Sequence, residues 1–129
     1  MTRPLTERQV VGAAAEHAAC ELLQAQGLRC LARNVRYPFG ELDLVMLDAA
    51  TLVFVEVRYR RSTGFGGGAA SVDAGKCRRI ALAAQAWLVE NRKYAKSACR
   101  FDVVAVTGAA TTPQTDWIRA AFTLDDVAG

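Results

Sequence analysis

Histidine is nearly absent from this chain: His17 is the only one. Cysteine is scarce and scattered, at Cys20, Cys30, Cys77 and Cys99, and no two stand as CxxC. His17 precedes Cys20 by three residues, but no second pair has the spacing to complete a zinc site. The opening Met1-Thr-Arg-Pro-Leu-Thr-Glu-Arg lacks the apolar centre of a secretory signal. The expected location is therefore cytoplasmic, with the cysteines acting as small buried hydrophobes rather than disulfides. Long apolar runs are missing too. Val10 to Cys20 is interrupted by Glu16 and His17 and is too short to span a bilayer. Nor does one sign of charge dominate: 16 basic against 13 acidic residues leave +3. That balance permits nucleic-acid binding without requiring it.

What the chain does have is a core. Hydrophobic residues make up 52% of 129 and charged residues 22%, which separates it from a disordered chain. The length suits one domain, and no repeat or linker divides it, so residues 1–129 are expected to fold as a unit. Thr6, followed by Gln9 three residues later, has the form of a capping box, and it opens a helix running to Gln26 with Gly27 just beyond. Leu22 and Leu23 are its expected core residues. Leu28 to Val35 reads as a strand, followed by a turn at Tyr37-Pro-Phe-Gly40. Glu41 to Leu47 alternates Glu41/Asp43/Val45 against Leu42/Leu44/Met46, a period of two. Leu52 to Tyr59 is the strongest strand, with faces Val53/Val55/Val57 and Phe54/Glu56/Arg58. Ser62 to Ser71 is glycine-rich. A second helix is expected from about Asp73 to Arg92, burying Ile80, Ala84, Trp87 and Leu88. Strands at Phe101–Thr107 and Trp117–Leu124 complete an α/β order of helix, three strands, helix, two strands. Clustered strands imply antiparallel hairpins, and the second helix implies a crossover.

Two glycine-rich patterns mislead. Gly64-Phe-Gly66-Gly-Gly-Ala69 loosely fits a dinucleotide fingerprint, but it does not open the helix directly and no ribose-binding acid follows at the right distance. Gly75-Lys76-Cys77 resembles the end of a P-loop, yet Ala70 stands where the first glycine belongs and Cys77 replaces Ser or Thr. The glycine-rich stretch is instead expected to flank the site and to order on nucleic acid.

The chemistry lies in Asp43, Glu56 and Arg58. Glu56 and Arg58, two apart on a strand, share a face, and pairing with the preceding strand would bring Asp43 beside them. Two close carboxylates repel unless a cation separates them. A hard divalent ion, Mg²⁺ or Mn²⁺, suits such oxygens. The alternative reading is a structural salt bridge from Glu56 to Arg58 or Arg60. Glu16 reads on its own as a solvent-facing helix residue, Glu41 as a partner to Asp43 or a surface ion, and Asp102 as a brace at a strand start. Basic residues cluster as Arg58/Arg60/Arg61 and Lys76/Arg78/Arg79. Arg33, Arg36, Arg60, Arg61 and Lys76 are candidate nucleic-acid contacts, of a kind that positions the backbone without reading sequence.

A longer pattern joins these residues. It runs Gly12-x-x-x-Glu16, Gly27, Arg33-Asn34-x-Arg36, Gly40-Glu41-Leu42-Asp43-Leu44, Phe54-Val55-Glu56-Val57-Arg58-x-Arg60, Lys76 and Arg100-Phe101-Asp102-Val103-Val104. Over roughly Val11 to Val106 it resembles the YraN family of bacterial proteins. That resemblance implies a restriction-endonuclease-like fold, a central mixed sheet flanked by helices, and kinship with Holliday-junction resolvases. It further implies that Asp43 and Glu56 hold a metal, with Arg58 and Glu16 completing the catalytic group. The superfamily's motif ends in Lys where this chain has Arg58. Arginine can clamp a phosphate but cannot act as a base. Lys76 is a candidate for the missing amine, although nothing in the sequence places it there. The leading expectation is an endonuclease that hydrolyses DNA, branched or structured DNA included. The alternatives are a silent nucleic-acid-binding module of the same fold and a protein-interaction domain. A homodimer is a further expectation, since many nucleases cut two strands as twofold pairs.

Overall fold

The structure, a computed structural model, describes residues 4–60, 72–109 and 111–124. Helix α1 spans Glu7–Ala25, strands β1 to β3 span Arg29–Tyr37, Gly40–Asp48 and Thr51–Arg60, helix α2 spans Ala74–Glu90, and strands β4 and β5 span Cys99–Thr107 and Gln114–Phe122. The five strands form one sheet in the order β1-β2-β3-β4-β5. All pairings are antiparallel except β3 with β4, which are parallel because α2 carries the chain back between them.

Each helix covers one face of the sheet. On one side, Ala15, Ala19, Cys20 and Leu23 of α1 pack against Leu44, Met46, Val53, Val55, Val104 and Val106. On the other, Cys77, Ile80, Ala83, Ala84 and Trp87 of α2 pack against Leu42, Val45, Leu52, Phe54 and Phe101. Small residues on both helices let the backbones lie close to the sheet. Strand β3 is buried on both faces from Leu52 to Glu56, as expected of a central strand with helices above and below. Phe54 anchors the α2 side, edge-on to Trp87 at 6.1 Å and stacked with Phe101 at 5.6 Å. Its full burial contributes about 1.5–3 kcal/mol.

The ends of the elements follow local chemistry. At Thr6, Oγ1 accepts from the Gln9 N–H at 3.1 Å and Gln9 Oε1 accepts from the Thr6 N–H at 2.9 Å, which is the expected capping box. Gly27 turns the chain out of α1 at φ +96°, a value a side chain would resist. Helix α2 stops at Glu90, two residues short of the expectation, because the Asn91 side chain donates to the Trp87 carbonyl at 2.8 Å and ends the helix. Strand β4 starts two residues early, since Cys99 and Arg100 still pair with Leu52 and Val53. The glycine-rich stretch from Ser62 to Ser71 and Arg61 lie outside the described residues.

Strand β2 departs from strict alternation. Leu44 and Met46 face α1 as a pair, but Leu42 belongs to the α2 side. The break falls at Asp43, opposite Asn34, which adopts φ +52° between the pairs Arg33–Leu44 and Val35–Leu42. Asparagine tolerates that left-handed conformation better than most side chains. Beyond Leu44–Val55 the β2–β3 ladder ends.

Asp102 is the second irregularity, and it is wholly buried. It accepts from Arg100 Nε at 2.9 Å, Arg100 Nη2 at 3.1 Å, Trp117 Nε1 at 2.9 Å and the Ala120 N–H at 2.9 Å. Ala120 sits at φ +51° where β5 slips register against β4. The carboxylate thus braces the start of β4, as expected of it, and holds the bulge in β5 as well. Asp102→Ala strips Arg100 of its buried partner. It should destabilise the protein by about 3–5 kcal/mol, read as a lower urea midpoint monitored by tryptophan fluorescence.

Candidate active site

The site forms where β2 and β3 part. Past Leu44–Val55 the Asp43 side chain takes the place of the missing ladder bond, Oδ2 accepting from the Val57 N–H at 2.8 Å. Glu56, next along β3 from Val55, is 4% exposed. A buried carboxylate without a partner would cost several kcal/mol by rough reckoning. Its partner is neither Arg58 nor Arg60: Lys76 Nζ lies 2.7 Å from Glu56 Oε1. Lys76 occupies the first turn of α2, and its own N–H is held by the N-cap Asp73 Oδ1 at 2.8 Å. That bond, more than the nearby Arg79 and Lys76 charges, holds the Asp73 carboxyl below its ordinary value. One short cap therefore fixes where the lysine emerges over the sheet.

The acidic groups crowd one another. Asp43 is pushed up from 3.8 to about 8, first by burial and then by the Glu56 charge, with the Val57 N–H bond opposing and Glu16 adding to the rise. Glu56 therefore bears on Asp43 directly, its charge favouring the protonated form of the neighbouring carboxyl. Glu16 reaches this group electrostatically from α1, on the opposite face from Lys76. Burial works to lower the Lys76 ammonium, but its bond to Glu56 and the charges of Glu56, Asp43 and Glu41 outweigh it and hold it above its ordinary value. Lys76 is thus protonated at neutral pH and is the cation paired with Glu56. Among the described residues, no three His, Cys, Asp or Glu side chains are gathered tightly enough to enclose a metal by themselves.

Arg58 lies two residues beyond Glu56. Its Nη1 is buried and has no hydrogen-bond partner among the described residues. Beside it a pocket of about 220 Å³ is lined by Arg58, Val72, Asp73 and Lys76. A buried, unsatisfied guanidinium nitrogen calls for an acceptor, and an anion in this pocket would meet both Arg58 and Lys76. The other basic candidates lie apart. Arg36 is an exposed residue of β1, 3.9 Å from Glu41, and Arg60 ends β3 opposite Thr107.

Sequence reading named Lys76 but had no means of locating it. The usable signal was Asp73, whose N-cap role puts Lys76 on the first helical turn. It missed the break at Asn34 and Asp43, which period-two alternation conceals.

A mixed five-stranded sheet between two helices, with an acidic pair where two strands separate, defines an α/β protein of restriction-endonuclease-like fold. Within that class the chain belongs to the YraN group, described as Uncharacterised protein family UPF0102, which matches residues 15–106. A UPF0102 protein of Xanthomonas campestris pv. campestris (strain B100) is 56% identical over 92% of this chain and 96% of its own length. One from Pseudomonas entomophila (strain L48) is 54% identical over 86% and 91%, and one from Methylococcus capsulatus is 51% identical over 91% and 94%. Among the described residues no helix is long and apolar enough to cross a membrane.

The folded Asp43 binds a proton that the unfolded chain has released between pH 3.8 and about 8, so this group makes the fold less stable as pH rises through that window. Asp43→Asn keeps an acceptor for Val57 and removes the charge. In EDTA its melting temperature should match the wild type near pH 4 and exceed it at pH 8 by about 3 °C or more, measured by differential scanning fluorimetry.

Proposed function

We propose that this protein is a Mg²⁺- or Mn²⁺-dependent endonuclease that hydrolyses phosphodiester bonds in DNA. The observation that carries the reading is the pairing of Lys76 with Glu56 beside Asp43. An acidic pair on two strands with an ammonium at its rim is the chemistry that phosphodiester hydrolysis needs, even though the motif's own basic position is Arg58. Asp43 and Glu56 would hold the ion. Two carboxylates suit Mg²⁺, which keeps several waters and takes the rest of its shell from the substrate phosphate. Their mutual repulsion, visible in the raised Asp43, is relieved by a divalent cation. When bound, the ion would supply Lewis-acid polarisation of the phosphate and acidify a coordinated water.

The chain's own groups do the rest. Arg58, whose Nη1 has no acceptor among the described residues, lines the adjoining pocket and would grip a non-bridging phosphate oxygen there. Lys76 remains protonated, so it is a fixed positive charge for the transition state rather than a base. Glu16 assists through its charge on Asp43. Arg36, Arg60 and Arg61 are the proposed contacts to the flanking backbone. Branched or structured DNA as the preferred substrate, and a homodimer as the working unit, rest on the family resemblance. The second reading, a DNA-binding module without cleavage, is favoured by Arg58 standing at the motif's lysine position.

The test is metal-dependent cleavage of labelled single-stranded, duplex and branched DNA. Glu56→Ala should abolish cutting. Lys76→Met should slow it by about 10²–10³ at unchanged metal optimum. If wild type does not cut but Arg58→Lys does, the site is intact and silenced at that position. If neither cuts while DNA affinity falls steeply with salt, the binding module is the correct reading.

A second outcome follows from the proton on Asp43. Metal must displace it, so apparent Mn²⁺ affinity should strengthen as pH rises toward about 8 and level off above it, with proton release detectable by calorimetry in buffers of different ionisation enthalpy.

A further inference from the structure

The turn between β1 and β2 carries two aromatic rings and adjoins the candidate site. Phe39 stacks on Tyr37 with centroids 5.4 Å apart and planes 3° from parallel. Even so, Phe39 is 44% exposed, so part of its ring remains open to solvent. The turn is not free to fold it away. A Cβ at Gly40 would lie 2.3 Å from the Arg79 carbonyl oxygen, so the turn backbone is pressed onto α2 with no room to spare. The Tyr37 hydroxyl is tied to Glu90 at the far end of the same helix. The two rings are thus held in a fixed plate.

This plate borders an open cavity of about 430 Å³, whose walls include Tyr37, Phe39, Lys76, Arg79 and the carboxylate of Glu41, which has Arg36 3.9 Å away. Lys76 is shared: it lines this cavity and also the smaller pocket beside Arg58. Two aromatic rings with Lys76, Arg79 and one carboxylate, Glu41, around the same cavity, and Lys76 shared with the pocket beside Arg58, match the chemistry of a nucleotide whose base has left the stack. Base stacks on ring, and phosphate meets lysine and arginine.

We propose that Phe39, backed by Tyr37, is a stacking platform for an unpaired DNA base next to the phosphate held at Arg58 and Lys76. This rests on the nuclease or DNA-binding reading and narrows its substrate to DNA with an unpaired nucleotide, such as a single strand, flap or junction. Fully paired duplex offers its bases no access to the plate and engages only the basic residues.

The test uses the full-length chain carrying Glu56→Gln, so that DNA is bound and not cut. Oligonucleotides hold 2-aminopurine at an unpaired or a paired position, with thermal melts confirming that each variant folds. On the platform, the unpaired 2-aminopurine is quenched on binding. Phe39→Ala and Phe39→Leu should both lose the quench and bind the unpaired substrates about 5- to 100-fold more weakly. Their duplex affinity and salt slope should not change, and Phe39→Trp should restore both readouts. Leucine separates a π-face from mere apolar bulk. Equal weakening on duplex and unpaired DNA, or no weakening on either, overturns the platform while leaving DNA binding intact. Absence of binding to every DNA overturns the underlying reading and the platform with it.

Discussion

A carboxylate driven into the middle of a sheet must find a cation, and much of this molecule is arranged around Glu56 finding one. Glu56 follows Val55 on a strand buried from both sides, and the helix that covers it delivers Lys76 to within 2.7 Å. That contact needs α2 to begin at the right residue, which the Asp73 cap secures. It needs the crossover to land α2 on the Phe54 face, which the aromatic packing of Phe54, Trp87 and Phe101 secures. It also needs β2 to yield space, which it does by breaking alternation at Asp43. Core, cap and strand irregularity converge on one ion pair.

The two buried acidic centres among the described residues are opposites. Asp102 is surrounded by Arg100, Trp117 and the Ala120 N–H, and every bond it makes is internal. It is finished, and its work is to hold β4 and β5 in register. The Asp43–Glu56 pair is unfinished. It has one backbone donor and one ammonium for two carboxyl groups, and Asp43 keeps a proton for want of another cation. Arg58 presents the complementary deficit, one buried donor nitrogen without an acceptor among the described residues. Glu56 and Arg58 lie two residues apart on β3, and such deficits of opposite sign are what a ligand with a cation and an anion would satisfy together. Asp102 pairs with Val55, one residue from Glu56, so the satisfied carboxylate and the unsatisfied pair lie near each other on adjacent strands and differ in their partners, not in their place in the sheet.

The same helix that supplies Lys76 also fixes the β1–β2 turn. Gly40 lies against the Arg79 carbonyl and Tyr37 reaches Glu90, so the second turn and the last turn of α2 both grip the hairpin. The acidic pair, the Arg58 guanidinium and the aromatic plate are therefore referenced to one rigid body. A site built on strands and a helix, rather than on loops, holds its geometry without help from a ligand.

Much of this was legible in the chain. Thr6 and Gln9 wrote the start of α1, and Gly27 wrote its end, because capping and left-handed backbone are local chemistry. Leu52 to Tyr59 declared itself the strongest strand through its dense apolar and β-branched residues, and the order of helix, three strands, helix, two strands implied antiparallel hairpins joined by a crossover. Asp43, Glu56 and Arg58 were marked by being charged where their neighbours are not. Leu42 was misplaced, since alternation cannot report a residue such as Asn34 at φ +52° on the partner strand. Lys76 could be named and not located, because twenty residues and a crossover separate it from Glu56. Which cation meets a buried carboxylate depends on how a helix lies across a sheet, and that is decided by packing among residues far apart in the chain. Sequence by itself determined the elements and the unusual residues; only the tertiary fold decided that Lys76, and not Arg58 or Arg60, would neutralise Glu56.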